Sequence, residues 1–161
     1  MKGKLRYGAL MLAAILVVGG VAHATDGSSG SSGKSQTLRL LDVSDKFEFV
    51  DVGTPGSPGN PGPGDSFIFN NLVRNRADTK TLGTWISICT MTAAAGVARC
   101  SGTVGLDSGD IEVATTVDFA DADVIVAAVT GGTRAYKGVG GHLILGEQTS
   151  AGRLMTIKLV R

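Results

Sequence analysis

Aromatic side chains make up only 5% of the 161 residues, neither sign of charge dominates, and cysteine occurs twice. Each scarcity excludes a class of protein. With 15 basic against 14 acidic residues and no basic block, the chain lacks the electrostatic footprint of a nucleic-acid binder. Charged residues reach 18% while hydrophobic ones reach 43%, so the chain is not a solvated, disordered polymer. Neither Gly-x-Ser-x-Gly nor a Walker-type phosphate loop occurs, which removes the α/β-hydrolase elbow and nucleotide binding. No Asn-x-Ser/Thr sequon is present. Glycine is what the chain has in excess: 24 residues, against about 11 at ordinary usage.

The first 24 residues read as a secretory signal: Lys2, Lys4 and Arg6, a mainly apolar stretch from Ala9 to Val18, and an Ala22-His23-Ala24 cleavage site. The apolar run from Gly8 to Ala22 is 15 residues long, short of the roughly 20 needed to span a bilayer. Cleavage would leave 12 basic and 14 acidic residues, a net charge of −2 over 137 residues beginning at Thr25. The expectation is a secreted or extracytoplasmic protein with no membrane attachment after cleavage. His142 is then the one histidine left, which removes a His-rich metal site and most histidine general-base chemistry.

Residues 25–36, rich in Gly and Ser, read as a flexible linker, and the folded part is expected over 37–161. Gly53 to Gly64 holds all four prolines and reads as a surface loop. Short β-prone runs fill the rest, at 37–43, 46–52, 66–74, 82–92, 97–106, 110–119, 124–130, 141–146 and 153–160, with no sustained helical period. Ile111, Val113, Thr115, Val117 and Phe119 alternate with Glu112, Ala114, Thr116 and Asp118, as a strand with one buried face does. Val124 to Val129 is apolar on both sides, which implies cover by the interior on one face and a neighbouring subunit on the other. About eight strands with short connections predict an all-β fold, an antiparallel barrel or sandwich.

Cys89 and Cys100 flank a hairpin whose turn spans Ala93 to Gly96. If Thr92 pairs with Val97, then Cys89 faces Cys100 in a position where the Cα atoms approach closely, and export puts the pair where disulfides persist. A structural disulfide is therefore predicted. Asp118, Asp121 and Asp123 lie close together but lack calcium-loop spacing and read as solvated.

The order of motifs then becomes informative. Gly64-Asp65-Ser66-Phe67-Ile68-Phe69-Asn70-Asn71, Leu82-Gly83-Thr84 leading to Cys89, Gly109-Asp110-Ile111-Glu112-Val113, and Gly131-Gly132-Thr133-Arg134-Ala135-Tyr136-Lys137-Gly138-Val139-Gly140-Gly141 follow one another. Over residues 37–161 the chain resembles the allene oxide cyclase and dirigent superfamily, especially its exported bacterial barrels. That family usually has glycine where this chain has Arg134. The resemblance implies an eight-stranded antiparallel barrel, often trimeric, whose lumen holds a hydrophobic and conformationally flexible guest. It also implies action without metal, nucleotide or other cofactor: the reactivity is intrinsic to the guest and the protein restricts its geometry.

Carried over residue by residue, the water-positioning asparagine of the cyclases falls on Asn71. Phe67, Phe69 and Val73 share its strand face. Trp85, on the face of Cys89 and Met91, reads as core or as a ligand platform, and Tyr136 as part of the family turn. Gly53-Thr54-Pro55 looks like the cyclase Gly-Ser-Pro. Counting back from it, the cyclase carboxylate and its nearby asparagine fall on Lys46 and Glu48. Neither matches, which argues against the plant reaction; Glu48 supplies a carboxylate only if the register slips by two, which keeps it on the same strand face. The candidate ligand-binding residues are thus Asn71, Phe67, Phe69, Trp85 and Glu48, and no catalytic residue is assigned. The leading expectation is a barrel that binds a small hydrophobic molecule and steers its cyclisation or coupling, as a cofactor-independent isomerase or dirigent-like protein would. The alternative is a non-catalytic secreted binding or structural module. Spirocyclase-type chemistry on a polyketide is a third reading, against which the export signal argues.

Overall fold

The computed structural model describes residues 33–52 and 58–161; the predicted signal segment and most of the linker lie outside the described residues. Eight strands close into a barrel: β1 (Gln36–Val50), β2 (Ser66–Asn75), β3 (Thr81–Met91), β4 (Val97–Leu106), β5 (Gly109–Asp118), β6 (Ile125–Gly132), β7 (Gly140–Thr149) and β8 (Gly152–Val160). Every neighbour is antiparallel and β8 returns to β1, so no edge strand is left unpaired. Barrel, not sandwich, is the outcome. Two of the expected strands, 37–43 and 46–52, are one continuous β1 interrupted by a bulge between Ser44 and Lys46.

Alternation decides which side chains enter the core. Ile111, Val113 and Val117 of β5 are 0 to 5% exposed while Glu112 between them is exposed, as the period-2 pattern requires. The lower half is packed with Leu40, Val73, Val104, Leu143, Met155 and Ile157. Its floor is Tyr136, whose hydroxyl hydrogen-bonds Ser108 Oγ at 2.9 Å. Val124 and Val126 of the doubly apolar stretch are over half exposed in the single chain, whereas Ala127 and Val129 are buried.

The glycine-rich motif before β7 has a steric cause. A Cβ on Gly132 would stand 2.7 Å from the Tyr136 Cβ and 2.6 Å from the Asp110 carbonyl oxygen, so only glycine lets the Arg134–Tyr136 turn fold under the barrel. Arg134 itself sits at φ 46°, a left-handed conformation that disfavours any Cβ, which is the physical reason glycine suits this place. On the opposite rim, Asp65 is fully buried and accepts from the Val52 amide at 2.8 Å and the Gly62 amide at 2.7 Å, drawing the two ends of the 51–65 loop together.

Cys89 and Cys100 are bonded, with Cα atoms 4.0 Å apart, and face each other across β3 and β4. The hairpin register is the expected one: the Thr92 amide donates to the Val97 carbonyl at 2.8 Å. Reduction of this bridge is expected to cost about 3 kcal/mol through the freed loop entropy of the unfolded chain. Calorimetry with and without reductant should show a Tm lower by roughly 10 °C in the reduced protein. Relief of the left-handed strain by Arg134→Gly is expected to raise stability by roughly 0.5–1 kcal/mol, measurable by urea denaturation.

Candidate functional site

The upper half of the barrel is not filled. A cavity of about 260 Å³ opens there, walled by apolar side chains that include Phe69, Trp85, Val113 and Leu143. For scale, an apolar cavity of about 150 Å³ accepts benzene, so this one has room for two or three fused rings. The Cys89–Cys100 bridge forms part of the same wall.

Trp85 reaches the cavity because β4 carries glycine opposite its neighbour. A Cβ on Gly102 would lie 2.7 Å from the indole Cη2 and 2.9 Å from the Ser87 Cβ. The indole therefore lies across the space a side chain at position 102 would fill.

Eight of the lining residues are polar, and two of them form a buried pair. Asn71 on β2 and Asp42 on β1 are only 5% and 8% exposed, and Asn71 Nδ2 donates to Asp42 Oδ1 at 2.7 Å. Ser44, opposite Asn71 in the register, stands beside them. With its nitrogen committed to the carboxylate, the Asn71 amide turns Oδ1 away, and that oxygen has no hydrogen-bond partner among the described residues. A buried acceptor left unpaired costs about 1–3 kcal/mol.

Burial pushes the Asp42 carboxyl above its ordinary value of 3.8, against smaller downward pulls from the Asn71 hydrogen bond and the Arg153 guanidinium. A carboxyl raised by desolvation keeps its proton to higher pH than one in water. Arg153, opposite Asp42 in the β1–β8 register, also lines the cavity. Its Nε donates to the Gly146 carbonyl and its Nη2 to the carbonyls of Ala122 and Asp123, each at 2.8 Å.

Above the cavity stand all five phenylalanines of the chain. Phe47, Phe49, Phe67, Phe69 and Phe119 form one connected cluster with ring centroids 5.4 to 6.5 Å apart.

Of the residues singled out from sequence, Asn71, Phe69 and Trp85 meet at this cavity. Phe67 does not line it; it packs one layer higher with Phe49, Met91 and Ala98. Glu48 is exposed on the outside of β1 opposite Ile68, so the register-slip reading that gave it a site role is corrected. The bulge is the reason: beyond it, Phe47 and Phe49 face inward and Glu48 outward. The carboxylate of the lumen is Asp42, which sequence reasoning missed. Its signal was present in the Leu38, Leu40, Asp42 alternation, a lone acid on an otherwise inward apolar face. Tyr136 and His142 lie away from the cavity. Among the described residues, no three His, Cys, Asp or Glu side chains gather to hold a metal ion.

Together these features define a closed β-barrel with a chambered lumen and a polar pair on its wall. Solved structures show the same architecture. A pyocyanin demethylase is 24% identical, with 77% of this chain and 99% of that one covered at a TM-score of 0.65. An exo-specific intermolecular Diels-Alderase is 14% identical, with 80% and 100% covered at 0.62. A pterocarpan synthase dirigent protein is 12% identical, with 80% and 82% covered at 0.58. No family model matches the sequence, and no curated protein matches it. What these likenesses share with the chain is the fold, a closed eight-stranded antiparallel barrel.

The Asp42 shift has a consequence for stability. Below 3.8 the carboxyl is protonated folded and unfolded alike and contributes nothing. As pH rises toward the raised native value, the folded state holds its proton more tightly than the unfolded one, so stability falls through that window and levels off above it. Asp42→Asn, which keeps an acceptor for Asn71, is expected to be more thermostable than the parent at pH 7, with the difference closing toward pH 3. Thermal melts across pH check this.

Proposed function

We propose that the barrel binds a small, largely apolar molecule in its lumen and steers its cyclisation or coupling by confinement against the Asp42–Asn71 pair. The observation that carries this reading is a buried, hydrogen-bonded carboxyl–amide pair among the residues that line the cavity. Apolar walls supply affinity, and a few convergent polar groups set orientation. A chamber that admits few conformers of a flexible guest lowers the entropic part of a ring-closing barrier. Asp42 holds or accepts a proton at the reacting end of the guest, Asn71 Nδ2 fixes the carboxyl in place, and Trp85 and Phe69 set the plane of the guest.

The reading draws support from the neighbours of the same fold, among which are a Diels-Alderase and a dirigent protein. The crosslink in the lumen wall supports residence in an oxidising compartment outside the cytoplasm, in keeping with the predicted export signal. Exposed Ile86 and Ile88 on the outer face of β3 supply apolar surface for assembly into the homo-trimer the resemblance implies.

Trp85 is the single tryptophan of the chain and reports on the cavity directly. Titration with 2-naphthol is expected to quench it at one molecule per chain, with native mass spectrometry giving the same stoichiometry. Asp42→Leu should weaken 2-naphthol about tenfold, the value of one buried hydrogen bond, and leave naphthalene unchanged. Absence of uptake of either compound by the folded, oxidised protein would refute the binding role.

A further inference from the structure

The shortest ladder of the barrel runs between β5 and β6, with that between β6 and β7 next. β5 and β6 are in register only from Ile111↔Gly132 to Ala114↔Ala128. By contrast β4 and β5 stay paired along their whole lengths, from Leu106↔Gly109 to Val97↔Asp118. Beyond Ala114, Thr115 Oγ1 donates to the Val126 carbonyl at 2.8 Å, a side chain reaching across where the ladder has ended. A small cleft of about 110 Å³ occupies the split, between Thr116 and Val117 of β5 and Ile125 and Val126 of β6, with Val124 before β6 also lining it.

The cleft and the lumen share a partition. Val117, Ala122 and Ile125 line both. Ala122 belongs to the Phe119–Val124 connection, whose short 3-10 turn (Phe119–Asp121) contains no buried residue. That connection is held mainly at its two ends. Its start is pinned by the Phe119 amide donating to the Gly96 carbonyl at 2.9 Å and by the Phe119 ring against Phe67. Its far end is held by Arg153 through the carbonyls of Ala122 and Asp123. The five connected phenylalanine rings gather at the upper end of the barrel, Phe69 and Phe119 lining the cavity and Phe47 over half exposed, and the opposite end is floored by Tyr136.

We infer that guests reach the lumen sideways, through the split between β5 and β6, when the Phe119–Val124 connection swings on its Phe119 pin and releases the Arg153 latch. This rests on the reading that the lumen takes a guest. The physical grounds are local. Few buried contacts and a short ladder place this segment at the low-stability end of the fold, where opening occurs without global unfolding. Two guanidinium hydrogen bonds are enough to hold it shut between openings. Arg153 thereby acts as a positioning residue for the gate, and its place beside Asp42 ties the closed gate to the polar end of the chamber.

The test uses the oxidised full-length barrel, hydrogen exchange read by mass spectrometry, and stopped-flow uptake of N-phenyl-1-naphthylamine, a neutral fluorescent probe. Exchange over residues 115–127 should exceed that of β3 and β4. Arg153→Met should speed both exchange in that segment and the probe's association rate about tenfold, as loss of charge-assisted hydrogen bonds predicts. Phe47→Ala, at the aromatic rim, should leave the association rate unchanged. Thr115→Val, which removes only the side-chain tie across the split, should shift exchange in the same direction and serves if Arg153→Met does not fold. Segment 115–127 exchanging as slowly as β3 and β4, or uptake accelerated by Phe47→Ala and not by Arg153→Met, would overturn the gate. Failure of the probe to bind any variant would count against the guest-binding reading instead, while the exchange measurement still decides whether the segment opens.

Discussion

One extra residue in β1 governs the chemistry of the upper lumen. Asp45 has no partner of its own where the register steps from Ser44↔Asn71 to Lys46↔Asn70, and the inward face of the strand changes parity there. Below the step, Leu40, Asp42 and Ser44 point into the barrel; above it, Phe47 and Phe49 do. Without the bulge a straight strand would send Lys46 and Glu48 inward beneath the rim. With it, a single strand contributes a packed floor, an acid at mid-height and two rings at the top. β8 holds β1 only up to Asp42, below the step, while β2 pairs with it on both sides of the step.

The polar pair follows from that constraint. Asp42 can be tolerated in an apolar chamber because Asn71, on the adjacent strand, donates to it, and because Arg153 lies on the strand to its other side. The three residues come from three neighbouring strands, β8, β1 and β2, so their spacing is that of the sheet rather than of a loop. Rigid placement of this kind is what a protein needs if it orders a guest without supplying a reactive group of its own.

Much of the architecture was legible beforehand because it obeys simple periodicity. The alternation in β5 identified its buried face, and counting outward from the Thr92–Val97 turn placed the two cysteines opposite each other. Asn71 was found through a motif and lies on the cavity wall. Asp42 escaped, and Glu48 was misplaced, for one reason: a bulge leaves no mark on an alternating pattern, since either parity looks equally regular on its own side of the step. The same step made one long strand read as two. Phe67 was assigned correctly by face but not by height, which depends on the tilt of the strands and cannot be read from one strand alone.

The relation between Trp85 and Gly102 bears on how such a barrel could diversify. The indole occupies the place of a missing side chain on the next strand, so a single methyl added at position 102 would force the ring to move. Guest size and the tilt of the chamber's largest flat surface therefore depend on one codon, remote from the Asp42–Asn71 pair. Descendants of this sequence could reshape the cavity wall at that one position while leaving the buried carboxyl–amide pair intact.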